Sequence, residues 1–154
     1  MIISTDKIFN NCYGRYGIAA VNVWCMEQVL GLFSAAQKAN APFIIQTTPV
    51  ARNYANAEML ISMISAASKI YPNTIFAIHL DNGKLEHALQ SIESGAYNTV
   101  MIDASNETLK KNISLTKQVV EKAHSRKITV EAELGVLSGI EDDINIDEKH
   151  KKYT

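Results

Sequence analysis

Five short runs rich in β-branched, aromatic and other apolar residues recur along the chain, and segments with helical spacing of apolar residues separate them. The runs span residues 17–23, 42–48, 74–81, 98–104 and 128–135. The helical stripes consist of Met26, Leu30, Phe33 and Ala36; Leu60, Ile64, Ala67 and Ile70; Leu85, Leu89 and Ile92; and Leu109, Ile113, Thr116, Val120 and Ala123. This alternation with short connections predicts parallel strands joined by right-handed crossovers.

Two capping residues refine this prediction. Gly95 follows the third stripe and is expected to end that helix, because glycine readily adopts the left-handed conformation. A further short helix is expected near residues 5–11, with Thr5 as its N-cap.

Two architectures fit the alternation: an open doubly wound sheet and a (β/α)8 barrel. The strand faces favour the barrel. In the third run, Ala77, His79 and Asp81 share one face, and in the fifth run Glu131 and Glu133 share one face, while the intervening residues are mostly apolar. In an open sheet that helices cover on both sides, both faces of each strand are buried, so the strand residues are almost all apolar. Acids gathered towards one strand end suit a barrel interior that opens into a site.

The length of the chain limits how much of a barrel it forms. A complete barrel has about 250 residues, and this chain has 154. We therefore expect an α/β fold that is the N-terminal portion of a TIM barrel, with four βα units plus a fifth strand, truncated there. Residues 1–154 are expected to be a single partial domain, with a loop-like tail at residues 139–154.

Composition excludes several classes of function. The formal net charge is -1, so no basic surface for nucleic acid or an anionic membrane is expected. No stretch approaches the roughly 20 apolar residues of a membrane span, and the N-terminus lacks the basic start and apolar core of a signal peptide. Cys12 and Cys25 are expected to be reduced packing residues. We expect a cytoplasmic protein.

Carboxylates end three of the predicted strands. Asp81, Asp103 and Glu133 are expected to converge on one edge of the sheet, with Glu131 two residues before the last of them. Carboxylates held close together repel one another unless a cation or shared protons intervene. A divalent metal or an acid–base role is therefore one interpretation. The alternative is that Asp81 and Asp103 only cap the helices that follow.

The four histidines do not have metal-ligand spacing. His79 on the third strand is expected to be a hydrogen-bonded core residue, with metal ligation as the alternative. His87, His124 and His150 are expected to lie at the surface. No P-loop or G-x-G-x-x-G motif is present.

Several segments together resemble one enzyme family. They are "GRYGIAAVNV", "APFIIQTTPV", "AIHLDNG", "TVMIDAS" and "VEAELGVLSGIEDD". The chain is similar along essentially its whole length to the class II, zinc-dependent ketose-bisphosphate aldolases. Residues 4–23 and "TTPV" are most similar to the tagatose-bisphosphate branch.

The resemblance implies a TIM-barrel enzyme that reversibly cleaves fructose or tagatose 1,6-bisphosphate to dihydroxyacetone phosphate and glyceraldehyde 3-phosphate. Zn²⁺ would polarise the ketone and stabilise the enediolate. By resemblance, Asp81 exchanges a proton with the C4 hydroxyl, and Glu141 handles the proton at the enediolate carbon. Asp103 and Glu133 are implied to be acids at or near the metal.

Two positions are implied to contact substrate and one departs from the family pattern. Asn22 and Thr48 are implied substrate-binding residues. Asn82 stands where the family has a zinc-binding histidine, and a neutral carboxamide is a poor zinc ligand beside an imidazole. The other two zinc-binding histidines of the family have no counterpart in this sequence.

The departures leave two other functions open. The chain is also consistent with a non-catalytic or partner-dependent half-barrel that associates with itself or with another aldolase subunit through open sheet edges. A flavodoxin-like phosphate or phospho-acceptor module is a third hypothesis, since such folds also place acids at strand ends.

Overall fold

In the part of the chain that the structure describes, five strands and six helices follow one another up to Ala132, and two further short strands come after them. The computed structural model describes residues 1–135, 139–141 and 144–147. The strands are β1 (Ala19–Asn22), β2 (Phe43–Thr47), β3 (Phe76–Gly83), β4 (Thr99–Ile102) and β5 (Thr129–Ala132). The helices are α1 (Thr5–Cys12), α2 (Met26–Ala39), α3 (Pro49–Ala55), α4 (Ala57–Ile70), α5 (Leu85–Ser94) and α6 (Leu109–His124). No helix among the described residues has the length and apolar character needed to cross a membrane.

The five strands form one parallel sheet in the order β1-β2-β3-β4-β5. Each of the five predicted runs coincides with one strand, although β3 continues past the end of its run to Gly83, so the predicted alternation and parallel pairing are confirmed. β1 and β5 form the two edges of this sheet in the described part of the chain, and their residues are half-buried or exposed.

The two faces of the sheet are covered differently. The main core joins residues of α2, α4, α5 and α6 to one set of alternate strand residues, among them Ile45, Ile78 and Val100. The opposite set, including Ile44 and Ala77, packs against Ile8 of α1. We call this second side the interior face. Because four helices line only one side, the sheet is a barrel wall rather than a doubly wound sheet.

Three phenylalanines anchor the main core. Phe33 of α2 packs edge-on against Phe43 and Phe76, with ring centroids 5.1 Å and 4.8 Å apart. All three rings are almost fully buried. They fix α2 across the N-terminal ends of β2 and β3, which leaves the opposite ends of the strands for polar residues.

The helical stripes were only partly correct. In α4, Leu60, Ile64 and Ala67 are buried as predicted, whereas Ile70 is exposed. In α2 the buried residues are Val29, Phe33 and Ala36, whereas Met26 is exposed. In α6 they are Asn112, Val119 and Ala123, whereas Leu109 and Ile113 are exposed. In α5 the buried residues are Ala88, Ser91 and Ile92 rather than Leu85, Leu89 and Ile92. The buried faces of α2, α5 and α6 are therefore rotated from the prediction, and the buried positions Val29, Ala88 and Val119 each directly precede a predicted one.

The capping predictions had mixed outcomes. Gly95 ends α5 in the left-handed conformation, as predicted. Ser4 rather than Thr5 occupies the N-cap of α1, since Thr5 already has helical geometry. Lys84 and Thr108 occupy the N-caps of α5 and α6, so the interpretation of Asp81 and Asp103 as N-cap residues is wrong.

Two elements were not predicted. Helix α3 begins directly after β2, where the Thr48 hydroxyl accepts a hydrogen bond from the Ala51 amide and Pro49 occupies the first turn. The segment expected to be a loop-like tail contains a short antiparallel hairpin of β6 (Gly139–Glu141) and β7 (Ile144–Ile146).

A β-bulge interrupts the pairing of β3 with β4. Leu80 pairs with Val100 and Gly83 pairs with Ile102, so Asp81 and Asn82 together lie opposite the single residue between that pair. Gly83 consequently packs against the Leu80 side chain. A Cβ atom on Gly83 would lie 2.6 Å from Leu80 Cδ2 and 2.9 Å from the Met101 carbonyl oxygen.

We expect Gly83→Ala to destabilise the protein by about 1–3 kcal/mol, because the Met101 backbone cannot move aside cheaply. Gly31→Ala is the matched control: nothing lies within 4 Å of a Cβ atom there, and Gly31 is inside a helix. That variant should gain about 0.5–1 kcal/mol. Urea unfolding of both proteins measures the difference, and equal stabilities would contradict the close packing at the bulge.

Candidate active site

The polar residues at the carboxyl ends of the strands lie along one edge, which we call the rim. It comprises Asn22, Asp81, Asp103 and Glu133. The Asp103 amide donates to the Gly83 carbonyl at 2.8 Å, and the Glu133 amide donates to the Ile102 carbonyl at 3.4 Å. These bonds continue the sheet beyond β4 and β5, so the ends of the three strands stay side by side.

Asn22 and Asp81 are in direct contact. The Asn22 Nδ2 atom donates a hydrogen bond to Asp81 Oδ2 at 2.8 Å, across the position of β2. Both side chains are half-buried. The Oδ1 atom of Asn22 is buried and has no hydrogen-bond partner among the described residues. The bond fixes one oxygen of the Asp81 carboxylate, and none of the described residues forms a hydrogen bond with the other oxygen.

His79 lies on the interior face, below Asp81. Its side chain is almost fully buried, with Nδ1 3.3 Å from the Thr99 hydroxyl and Nε2 3.7 Å from Glu131 Oε2. Burial lowers the pKa of His79 to about 4, although the negative charge of Asp81 opposes the shift. The imidazole is therefore neutral near pH 7. The predicted core position and hydrogen bond of His79 are both present.

Glu131 extends over the same face from β5. Burial raises the pKa of Glu131, and the negative charge of Asp81 raises it further. The outer part of the side chain reaches solvent, because 63% of its surface is exposed. A cavity of about 500 Å³ opens here, and its lining includes Gln46, His79 and Glu131.

Asp103 has a different environment from Asp81. Its Oδ1 atom accepts hydrogen bonds from the Ser105 amide at 3.0 Å and the Ser105 hydroxyl at 2.6 Å. Its Oδ2 atom lies 3.4 Å from Lys84 Nζ. Burial by itself would raise the pKa of Asp103, but the Ser105 hydrogen bonds and the charge of Lys84 outweigh it and hold the pKa below its usual value.

Asn82 occupies the bulge of β3 with a φ of 50°, in the left-handed region. Asparagine tolerates this conformation better than most residues, because its short side chain bonds locally. The side chain is half-buried and directly follows Asp81 at the rim. The backbone therefore gives a structural reason for asparagine here, independent of any ligand.

The remaining predicted residues have separate positions. Thr48 is buried and caps α3, and it lines a second cavity of about 550 Å³ with Asn22, Trp24 and Tyr54. Glu133 is half-buried, and its carbonyl accepts a hydrogen bond from Asn112 at 2.8 Å. The structure describes only the backbone of Glu141, in β6.

Comparison with known proteins identifies the family that carries this arrangement. A family model described as class II fructose-bisphosphate aldolase matches residues 3–154. The chain belongs to this family. The family prediction is confirmed, whereas membership of the tagatose branch stays a prediction.

The relatives and solved structures extend beyond the matched part. The chain is 38% identical over 150 residues to a fructose-bisphosphate aldolase of Helicobacter pylori, covering 97% of this chain and 49% of that protein. It is 40% identical over 131 residues to a Giardia intestinalis fructose-bisphosphate aldolase, covering 84% and 40%. The YdjI aldolase of Escherichia coli K12 aligns with a TM-score of 0.80 at 31% identity, covering 88% of this chain and 53% of that one. The chain spans about half the length of these proteins or less.

These matches settle the fold. The expected partial TIM barrel is confirmed, because the five-stranded wall aligns with an aldolase over most of its length. The hypothesis of a flavodoxin-like module is wrong, since the helices of the main core cover one face of the sheet only.

The zinc centre implied by the class II aldolase family does not fit the residues present. Within residues 1–135 and the described parts of the tail, no three His, Cys, Asp or Glu side chains are placed to hold one metal ion. Asn82 offers a neutral amide in place of an imidazole. Asp103 already accepts two hydrogen bonds from Ser105, and its charge is paired with Lys84.

Sequence reasoning missed four residues of this region. Lys84 and Ser105 bind Asp103, and Trp24 and Tyr54 line the cavity beside Asn22. The Asp-x-Ser spacing of residues 103–105 was the one available signal, because it is typical of an Asx turn. The contact of Lys84 depends on the bulge, which no sequence pattern indicates.

We expect His79 to make the protein less stable as the pH falls from about 6.5 to about 4. In that range the unfolded chain binds a proton at His79 that the folded chain does not, so stability is lost as the pH falls. The loss is about 3 kcal/mol at most, from the size of the shift. Glu131 opposes it, because its raised pKa lets the folded chain take up a proton earlier.

Unfolding by urea between about pH 7 and about pH 4.5 tests this expectation. His79→Gln should show a flatter pH dependence than the unmodified protein. His124→Gln is the control, since His124 is exposed at the end of α6, and it should keep the original slope. If the free energy of unfolding depends on pH in the same way in all three proteins, the pKa of His79 does not differ between the folded and the unfolded chain, and the expectation is wrong.

Proposed function

We propose that the chain supplies the proton-transfer side of a ketose-bisphosphate aldolase site. The reaction is the reversible cleavage of fructose or tagatose 1,6-bisphosphate to dihydroxyacetone phosphate and glyceraldehyde 3-phosphate. The hydrogen bond of 2.8 Å between Asn22 and Asp81 at the rim supports the proposal. Membership of the class II fructose-bisphosphate aldolase family supports the choice of reaction.

Asp81 acts as the acid–base group in this proposal. In the cleavage direction its carboxylate takes the proton of the C4 hydroxyl, and C4 becomes the aldehyde carbon. The C3–C4 bond breaks, and its electron pair remains on the three-carbon fragment as an enediolate. Glu141 then returns a proton to the enediolate carbon, as the family resemblance implies. A correctly positioned acid–base group contributes about 10²- to 10⁴-fold to such a reaction.

Asn22 positions the acid–base group. Its amide binds one carboxylate oxygen of Asp81, so the carboxylate cannot rotate freely and its second oxygen faces an incoming hydroxyl. Substrate enters from the cavity that Asn22 lines together with Trp24 and Tyr54. Thr48 lines the same cavity and is the proposed further substrate contact.

The proposal for Asp81 does not include the group that polarises the substrate ketone. The class II family implies Zn²⁺, with Asp103, Glu133 and residue 82 near it, and the side chains described here do not form such a centre. A zinc-dependent reaction would therefore need imidazole donors from outside the described residues. The choice between fructose and tagatose bisphosphate and the cytoplasmic location both stay predictions.

A chimeric enzyme tests the role of Asp81. Residues 3–154 replace the matching half of the Helicobacter pylori aldolase, with Asn82→His and Lys84→Ala included to restore an imidazole and free Asp103. We expect this chimera to cleave at least one of the two bisphosphates. Adding Asp81→Asn should lower kcat by about 10²-fold or more, because the acid–base group is lost.

The control for this experiment is Asp6→Asn, an exposed carboxylate in the first turn of α1 that should leave kcat unchanged. Steady-state release of dihydroxyacetone phosphate, measured with each substrate, gives kcat. A folded chimera that cleaves neither bisphosphate contradicts the proposal, and so does one that keeps its kcat without the Asp81 carboxylate.

A partner-dependent half-barrel is the second candidate, favoured by the edge of β5, which pairs with β4 alone among the described strands. Leu109, Ile113 and Leu134 are 57%, 58% and 53% exposed, and they line a groove of about 410 Å³ between α6 and the end of β5. Exposed apolar surface beside an unpaired strand edge favours association. In this case the chain binds a second copy, or another aldolase subunit, through that edge.

Sedimentation at micromolar concentration tests self-association. We expect species heavier than one chain, because pairing buries the apolar groove. Ile113→Lys should shift the population towards single chains. Ile70→Lys should not, since Ile70 is equally exposed but lies on α4. Single chains alone in the unmodified protein would rule out self-association under these conditions.

A further inference from the structure

The contact between Lys84 and Asp103 brings a cationic side chain to a buried carboxylate at the rim. The Lys84 Nζ atom lies 3.4 Å from Asp103 Oδ2. The Asp103 side chain is 6% exposed, whereas that of Lys84 is 46% exposed. A carboxylate with so little access to water requires compensation of its charge by nearby groups.

The backbone fixes the two residues relative to each other. The Asp103 amide donates to the Gly83 carbonyl at 2.8 Å, which places residue 84 directly beside the end of β4. The bulge at Asp81 and Asn82 creates this register, because it brings Gly83 rather than Asn82 opposite Ile102. Lys84 is also the N-cap residue of α5, and its amide donates to His87 Nδ1 at 3.3 Å. Its position is therefore set by both the strand and the helix.

The coordination of Asp103 is then complete without a metal ion. Two donors of Ser105 occupy Oδ1, and the ammonium group of Lys84 neutralises the charge at Oδ2. Next to this pair, residue 82 supplies a neutral amide rather than an imidazole. The ammonium group of Lys84 lies 3.4 Å from the Asp103 carboxylate and repels a zinc ion there. Zinc could bind Asp103 only if it displaced this group.

We propose that Lys84 acts as a built-in cation that replaces the divalent metal beside Asp103, so that this rim does not take up Zn²⁺ while Lys84 is present. Two residues therefore exclude the metal together. Asn82 takes the place of a zinc-binding histidine, and Lys84 neutralises the negative charge of Asp103 that would attract a metal ion. Restoring the imidazole by itself is not enough to restore zinc affinity. The inference is independent of the role of Asp81, because it concerns metal binding and not turnover.

Zinc binding by four forms of the 154-residue chain tests this inference: the unmodified protein, Asn82→His, Lys84→Ala and the double variant. Competition with a chromophoric zinc chelator gives the affinities. We expect the double variant to bind at least about ten-fold more tightly than Asn82→His, since the repelling ammonium group is gone. The unmodified protein should not compete with the chelator. Asn82→His combined with Lys84→Arg should behave like Asn82→His, because the positive charge remains.

Two results overturn the inference. One is zinc affinity in the unmodified protein comparable to that of the double variant. The other is equal affinity in Asn82→His and the double variant, which would show that the ammonium group is no obstacle. Lys110→Ala in the Asn82→His background controls for a general loss of positive charge, because Lys110 is exposed on α6. Circular dichroism of each variant establishes that it is folded before zinc is added.

Discussion

The additional residue in β3 determines how the whole rim is built. It places Asp81 and Asn82 together in the space of one residue and turns Gly83 towards the helices, where Leu80 leaves no room for a side chain. The Gly83 carbonyl then receives the amide of Asp103. One local irregularity therefore positions the acid that Asn22 binds, the amide in the left-handed conformation and the lysine that pairs with Asp103. Bulges often have this effect near functional sites, because they re-aim side chains without changing the rest of the sheet.

Charge on the interior face is balanced in three different ways. His79 is kept neutral by burial, which lowers its pKa to about 4. Glu131 has a raised pKa, because burial and Asp81 both disfavour its charge. Asp103 keeps its charge through Ser105 and Lys84. Asp81 influences both His79 and Glu131, so it is the electrostatic centre of this face. A carboxylate that shifts the pKa of two neighbouring groups is characteristic of an active site.

The sequence was sufficient for the sheet and for the face of β3 on which His79 and Asp81 lie, and insufficient for the partners of the acids. The gathering of Asp81, Asp103 and Glu133 around one ligand stays a prediction, because no three such side chains are grouped among the described residues and Glu133 lines the groove beside α6. Period-two alternation in residues 76–81 correctly assigned His79 and Asp81 to the interior face, because a strand has only two faces. The buried face of α6 was misplaced, since Leu109 and Ile113 look like core residues but lie at an open side. Helix α3 was missed although Thr48 and Pro49 form a recognisable helix start. The ion pair between Asp103 and Lys84 could not be predicted, because it depends on the register shift in β3, which no sequence pattern indicates.

The spatial order of the five strands is the same as their order in the chain. Every pairing in the wall therefore joins consecutive strands and closes only one helical connection, whose entropic cost is small. Each strand after β1 therefore has its pairing partner in the part of the chain that the ribosome has already produced.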